Sequence, residues 1–435
     1  MRRHWITNWD PDDEAMWARE GRSIARRNLV FSIFAEFLGF SVWQLWSVVA
    51  AQLGHAGFPY TVGELYWLVS VPGLVGATLR FPYGFAVPLF GGRNWTVVSA
   101  ALLLVPTVLL SVLVQRPATP FWVMLLVAGT AGFGGGNFAS SMSNISFFYP
   151  DRAKGWALGL NAAGGNIGVA VVQFVVPAVV GLGVLGLNAK AARHVALQNA
   201  GLIWVPLVVV AALCAFLFMD NLAVARASLR EQAVILRRKH TWVMSWLYIG
   251  TFGSFIGYSA AMPLLMRTAF PTVNSAEFVF LGPLVGSVAR PLGGWLADRV
   301  GGTAVTFWTF AAMSAAAIGV IATLRGGGFA PFLAAFLVLF VCSGIGNGST
   351  FRMIPALFER REAASVLAFS SAIAAYGSFF IPQGYSLSLA RTGGYTGALV
   401  AFVAFYLTCL AATWWFYLRQ RSPERAPARA ASEAV

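Results

Sequence analysis

Charge is scarce in this chain. Of 435 residues only 11% are Asp, Glu, Lys or Arg, while 58% are hydrophobic. That composition excludes an ordinary water-soluble globule, whose surface needs about a quarter of its residues charged. Acidic residues are scarcer still, at 16 against 30 basic ones, for a net charge of +14. The excess does not lie along one polar face, as nucleic-acid binding would require; it falls in short segments between apolar stretches, the pattern of membrane topology. There are four histidines and three cysteines. Cys214, Cys342 and Cys409 sit inside apolar segments with no CxxC or His-x-x-x-His spacing, so neither a disulfide framework nor a metal site is expected. No GKS or GKT follows the glycine-rich stretches, which argues against nucleotide binding, and no nucleophile, base and orienting group converge as an enzyme would need. No cofactor is implied.

Long apolar runs are what is present. A helix needs about twenty mostly apolar residues to cross the hydrocarbon, and twelve such stretches begin near Leu29, Tyr66, Trp95, Phe121, Trp156, Gly201, Thr241, Phe278, Thr303, Pro331, Ala363 and Gly397. The expected fold is an all-α membrane protein of twelve transmembrane helices in two pseudo-symmetric six-helix bundles. Residues 1–27 read as a polar tail without the apolar core or cleavage site of a secretory signal. The bundles span 28–219 and 241–418, separated by a basic loop at 220–240, and the Ala-, Pro- and Arg-rich stretch 419–435 reads as a second tail. With both termini cytosolic, 21 Lys and Arg fall inside and six outside. That bias places both ends in the cytoplasm of a cell membrane.

The halves repeat. GATLRFPYGFAVPLFGG at 76–92 matches GSVARPLGGWLADRVGG at 286–302, an offset of 210 that aligns Arg80 with Arg290. GFGGGN at 132–137 answers GIGNGS at 344–349 at an offset of 212. A guanidinium in hydrocarbon costs from a few to more than ten kcal/mol, on the order of several hydrogen bonds, so each arginine should face an internal cavity. Arginine's planar donors suit a small planar oxyanion. Only Glu36, among the carboxylates, lies well inside a span. Three roles are open to it: carrying a proton, pairing with an arginine, or sitting at an interface. Gly134, Gly135 and Gly136 in the fourth span, Gly164 and Gly165 in the fifth, and Gly346 and Gly348 in the tenth are expected to let helices approach closely. Arg352, near the end of the tenth span, reads as an interfacial arginine with its head group drawn toward water.

Parallel halves of this kind resemble the major facilitator superfamily, whose substrates bind between them near the midplane. The stretch GWLADRVGG resembles that superfamily's gating loop, in which Asp298, followed by Arg299, would cap and tether a neighbouring helix. The first-half counterpart lacks the Asp, so a weaker tether is expected there. AGFGGGNFASSMSNISFFYP and GIGNGSTFRMIP look like two signature segments of the nitrate/nitrite porter (NarK-like) family, and GATLRFPY, LGLNAAGGNIG, LYIGTFGSFIGYS and LGPLVGSVARPLGG fit as well. The resemblance implies nitrate and nitrite as ligands, held by Arg80 and Arg290 with Asn166 and Tyr248 as neutral partners. Phe138 and Phe252, with Phe40 nearby, would sandwich the flat anion. It further implies a monomer in lipid that uses nitrate for respiration or assimilation. Exchange of nitrate for nitrite is the leading expectation, because closing an empty site with two unneutralised charges is costly; proton-coupled symport through Glu36 and a non-transporting anion sensor are the alternatives.

Overall fold

The computed structural model describes residues 5–181, 196–225, 234–358 and 360–419. Residues 1–4 of the first tail, 226–233 of the central loop and 420–435 of the second tail lie outside the described residues. Twelve long helices stand among those described: α1 Glu14–Gln52, α2 Val62–Phe90, α3 Gly92–Leu113, α4 Phe121–Phe148, α5 Asp151–Gly181, α6 Asn199–Phe218, α7 Lys239–Ala269, α8 Leu281–Val300, α9 Gly302–Leu324, α10 Phe329–Leu357, α11 Ser365–Thr392 and α12 Thr396–Leu418. Eleven are apolar enough by composition to cross a membrane. The exception, α8, is 20 residues long but carries Arg290, Asp298 and Arg299. Its polarity is the price of the site it helps to build.

Sequence signals mark the ends. Thr61 and Glu64 form a reciprocal capping box at the start of α2, with Thr61 N–H donating to Glu64 Oε2 at 2.8 Å. α2 and α8 both stop at a glycine of positive φ, Gly91 at 88° and Gly301 at 93°, from which the next helix starts at once. These positions are 210 apart, so the repeat in sequence is a repeat in backbone geometry.

Helix α7 is central, with 94% of its most apolar stretch buried; α12 is peripheral, with 22% buried. Exposed apolar side chains such as Leu126, Phe174, Leu213, Val288 and Leu407 cover the outside, where lipid accepts them. Trp122 and Trp156 stand near the starts of α4 and α5, and Trp414 and Trp415 at the end of α12, all exposed as interfacial anchors.

Glycine sets the spacing within each half. A Cβ on Gly132 would lie 2.8 Å from Gly76 N, as one on Gly344 would lie 2.1 Å from Gly286 O. Gly136 meets the Tyr83 ring and Gly348 meets Gly293 and the Arg290 carbonyl in the same relation. The α4 and α10 partners are thus 212 apart while the α2 and α8 partners are 210 apart. Gly134 and Gly135 close on Gly39 and Gly76, Gly164 and Gly165 on Ile33 and Glu36, and Gly346 on Thr251 and Thr309.

The segment before α1 is more ordered than a polar tail suggests. Trp5–Ile6 (β1) pairs in parallel with Asn221–Leu222 (β2) beyond α6. Trp9 is buried and donates its indole N–H to Phe147 O at 2.9 Å, and the Asp12 carboxylate accepts from Asp151 N–H at the start of α5. Helix α1 then begins at Glu14, capped by Asp13. The chain's two ends share one face: Asn221 beside β1 follows α6, and the Tyr417 hydroxyl lies 3.1 Å from His240 at the start of α7. This is the terminal face of the molecule.

Gly134→Ala places a methyl 2.0 Å from the Gly39 carbonyl oxygen. It should destabilise the fold by at least about 1–3 kcal/mol. Gly84→Ala, with nothing within 4 Å, should be neutral or stabilise by up to about 1 kcal/mol. Thermal melts of the two variants in detergent check the contrast, and equal melting points would refute it.

Candidate functional site

α2 and α8 deliver the two arginines between the halves. Arg80 is 1% exposed and Arg290 5%. Arg80 donates from Nε to Gly135 O in α4 at 3.0 Å and from Nη1 to Ser371 O in α11 at 2.9 Å, and so bonds to both halves at once; its Nη2 has no partner among the described residues. Four rings surround its guanidinium: Phe138 at 4.6 Å to the centroid, Trp43 and Phe252 at 5.3 Å each, and Phe40 at 5.9 Å. Desolvated contacts of this type contribute up to about 2 kcal/mol each. Arg290 is set differently. Among the described residues it has one ring, Phe351 at 5.3 Å, and both Nη1 and Nη2 are buried without a hydrogen-bond partner.

The remaining expected residues gather here with unequal roles. Tyr248 is fully buried and interacts electrostatically with both arginines, but its hydroxyl approaches Arg290 more loosely than a normal hydrogen bond. A π-bulge at Ile249–Gly253 follows it and carries Phe252 toward the centre. Asn166 is buried in α5 with both amide atoms unpaired among the described residues. Phe138 and Phe252 lie 6.2 Å apart at 21°. A flat anion between them needs about 7 Å, two carbon contacts of about 3.5 Å. The rings must therefore part slightly to admit one. Glu36 is not at an interface: it is completely buried, accepts from Ser141 Oγ at 2.6 Å, leaves Oε1 unpaired and lies within electrostatic reach of both arginines.

A cavity of about 390 Å³ begins at Arg80 and Phe138 and runs between α2, α4 and α11 past Phe147 and Ser365 to Leu236, that is, toward the terminal face. The opposite side is shut. There Gln383 donates to Ser70 Oγ at 2.6 Å, Tyr66 meets Tyr395 edge to face, and a Cβ on Gly73 would lie 2.4 Å from Ser378 Oγ.

A family model described as Major Facilitator Superfamily matches residues 29–382. The chain is 43% identical to the nitrate/nitrite transporter NarU of Salmonella typhimurium, over 97% of this chain and 98% of that protein. It is 38% identical to the probable nitrate/nitrite antiporter NarK2 of Thermus thermophilus, over 96% and 97% respectively. The chain belongs to the nitrate/nitrite porter family of the major facilitator superfamily. Solved structures agree on the fold: an inward-facing, occupied bacterial homolog of the human lysosomal transporter Spinster has a TM-score of 0.68 at 14% identity, covering 89% of this chain and 95% of that one. The xylose transporter XylE from E. coli also reaches 0.68, at 11% identity, covering 91% and 98%.

In this porter the Arg352 side chain is half-exposed. It pairs with Asp298 of α8, Nε to Oδ1 at 2.7 Å, and comes within reach of Gly155 in α5 of the other half. Asp298 thereby ties α8 to α10, while exposed Arg299 stacks on Trp295 at 4.1 Å. The first-half loop, expected to be loosely held for want of an Asp, is held by other groups. Arg93 donates to the Phe216 carbonyl at the end of α6, Asn94 N–H donates to Asn221 Oδ1, and Trp5 packs on Gly91.

Several site residues escaped the sequence reading. Trp43 stands one turn beyond Phe40, a helical spacing that flags it in retrospect, and its indole N–H is fixed to Pro72 O at 2.8 Å. Ser141 and Asn161, which bonds Ser141 Oγ at 3.0 Å, support Glu36. Asn137 and Asn347 are buried with both amide atoms unpaired. Ser371 acts through its backbone and leaves no signal in sequence.

Ser141→Ala removes the hydrogen bond that the described residues give Glu36. The expected loss is about 1–3 kcal/mol of stability, the cost of an unsatisfied buried group. The loss should shrink in a Glu36→Leu background, leaving only the part that comes from the Asn161 bond to Ser141. A double-mutant cycle read by melting temperature tests this, and additive effects would show no coupling.

Proposed function

We propose that this porter moves nitrate and nitrite across the cell membrane by alternating access, taking up nitrate in exchange for nitrite. The observation that carries the reading is the pair of buried arginines between the halves, with unpaired donors on Nη2 of Arg80 and both Nη atoms of Arg290 among the described residues, and with Arg80 at the head of a cavity. Asn166 and Tyr248 add neutral hydrogen-bonding groups, and Phe138, Phe252 and Phe40 add apolar walls. A weakly hydrated planar monovalent anion tolerates such walls, whereas sulfate or phosphate would lose hydration it needs. The names of the relatives, nitrate/nitrite transporter and probable nitrate/nitrite antiporter, support the same ligands.

Positive residues concentrate on the terminal face, so both termini are assigned to the cytosol. The cavity then opens inward, and the seal at Gln383 and Tyr66 is external. Transport opens that seal and closes the cavity by rocking the halves, with the Asp298–Arg352 pair and the Arg93 contacts keeping each half's loop in place. The ion pair is half-exposed; Asp298→Asn should cost less than about 1 kcal/mol of stability while slowing exchange. Unchanged exchange would remove the pair from the cycle.

A second reading, nitrate carried with a proton, is favoured by one observation: the Glu36 carboxyl is buried with an unpaired oxygen beside the two arginines. Purified porter in liposomes decides between them. Nitrite-loaded vesicles should accumulate labelled nitrate without a proton gradient, and Arg290→Ala should weaken nitrate binding by about 30-fold or more, equivalent to roughly 2 kcal/mol. Uptake that needs a proton gradient and is lost in Glu36→Gln would favour symport. Nitrate binding with no counterflow would instead identify an anion sensor.

A further inference from the structure

Although the two arginines are related by the repeat, their donors are committed differently. Arg80 has spent Nε and Nη1 on carbonyls of α4 and α11, which belong to opposite halves. Its guanidinium lies within 6 Å of four ring centroids. The ring of Trp43 is itself seated in a tight place. Trp43 fills notches where a Cβ on Gly76 would lie 2.5 Å from Nε1 and one on Gly135 2.7 Å from Cε2, and its N–H is held by Pro72 O. One terminal nitrogen, Nη2, remains to meet a ligand. Arg290 has both terminal nitrogens unpaired, one ring beneath it, and a loosely placed Tyr248 hydroxyl alongside. Two parallel N–H donors match two oxygens of a planar oxyanion; a single donor cannot read planarity.

We infer that the arginines divide the work: Arg290 is the bidentate recognition residue that selects a planar anion, and Arg80 is a fixed single-donor contact whose main role is to join the two halves through Gly135 and Ser371. The inference rests on the transport reading above and deepens it. When the halves rock, α11 moves relative to α2 and α4, so the Arg80 bond to Ser371 must break or be remade in each cycle. Arg290 makes no such bond and can stay with the anion. Trp43 is then a positioning residue, holding Arg80 in the orientation that spans the halves.

Lysine keeps the charge at either position but loses the planar fork. Binding of sodium nitrate to purified porter, with sodium chloride as a spherical competitor, is read by nitrate-dependent thermal shift and intrinsic fluorescence on monodisperse protein. Arg290→Lys should weaken nitrate binding by about tenfold or more and collapse its preference over chloride, the expected loss of bidentate geometry. Arg80→Lys should change nitrate binding by less than about threefold, since one charged donor suffices there, yet slow nitrate/nitrite counterflow by about tenfold, as expected when a conformational step becomes limiting. Trp43→Leu should resemble Arg80→Lys, with Trp43→Phe intermediate. If either lysine variant is not monodisperse, glutamine at the same position replaces it, with the same order of binding loss expected. Equal binding losses at both positions, a larger loss at Arg80, or unchanged counterflow in Arg80→Lys would overturn the division. Wild-type protein that gives the expected order of binding without counterflow would sink the transport reading and leave Arg290's recognition role standing.

Discussion

A guanidinium ion held between two helical bundles, away from water, must find its solvation in the protein, and the middle of this porter is organised around that requirement. For Arg80 the solvation comes from two backbone carbonyls and four aromatic faces. The Gly135 carbonyl and the rings of Phe40, Trp43 and Phe138 reach it because α1, α2 and α4 approach through Gly39, Gly76, Gly134 and Gly135, positions where no side chain stands in the way. Close packing and the burial of charge are therefore one design feature. The glycines bring the carbonyl of Gly135 and the ring of Trp43 to the arginine, and the arginine in turn bonds across to α11.

Glu36 belongs to the same electrostatic system without being an ion-pair partner in the strict sense. Its carboxyl hydrogen-bonds Ser141 rather than either guanidinium, while lying within electrostatic reach of both. Buried charge without compensation resists closure, so whatever fills the space between the arginines has to complete a balance that Glu36 only partly sets. A monovalent anion suits that balance. The unpaired Nη atoms of Arg290 and the unpaired amide of Asn166 supply donors for it, and the aromatic walls exclude ligands that keep tight hydration shells.

Much of this was legible in the sequence. Twelve apolar stretches correspond to twelve helices because hydrocarbon thickness imposes a length that composition reveals, and only α8 is disguised, since its function requires Arg290, Asp298 and Arg299 on one helix. The repeat of Arg80 with Arg290 was visible because a charge in an apolar run stands out. What remained hidden were groups without a compositional mark: the Ser371 carbonyl, the seat of Trp43, and the Asp298 partner of Arg352. The ordered segment from Trp5 to Asp13 was likewise obscured by its polarity, because its bonds go to backbone groups exposed at the ends of α4, α5 and α6.

Local sequence determined the helices, their stops at Gly91 and Gly301, the membrane environment and the presence of one buried arginine in each half, since each depends on residues near one another in the chain. Tertiary structure decided which donors those arginines keep free, which side of the molecule is open, and how two similar loops are fastened by different partners. Those properties depend on contacts between residues as far apart as Arg80 and Ser371. A repeat in sequence makes two arginines alike; their neighbours across the fold make them different.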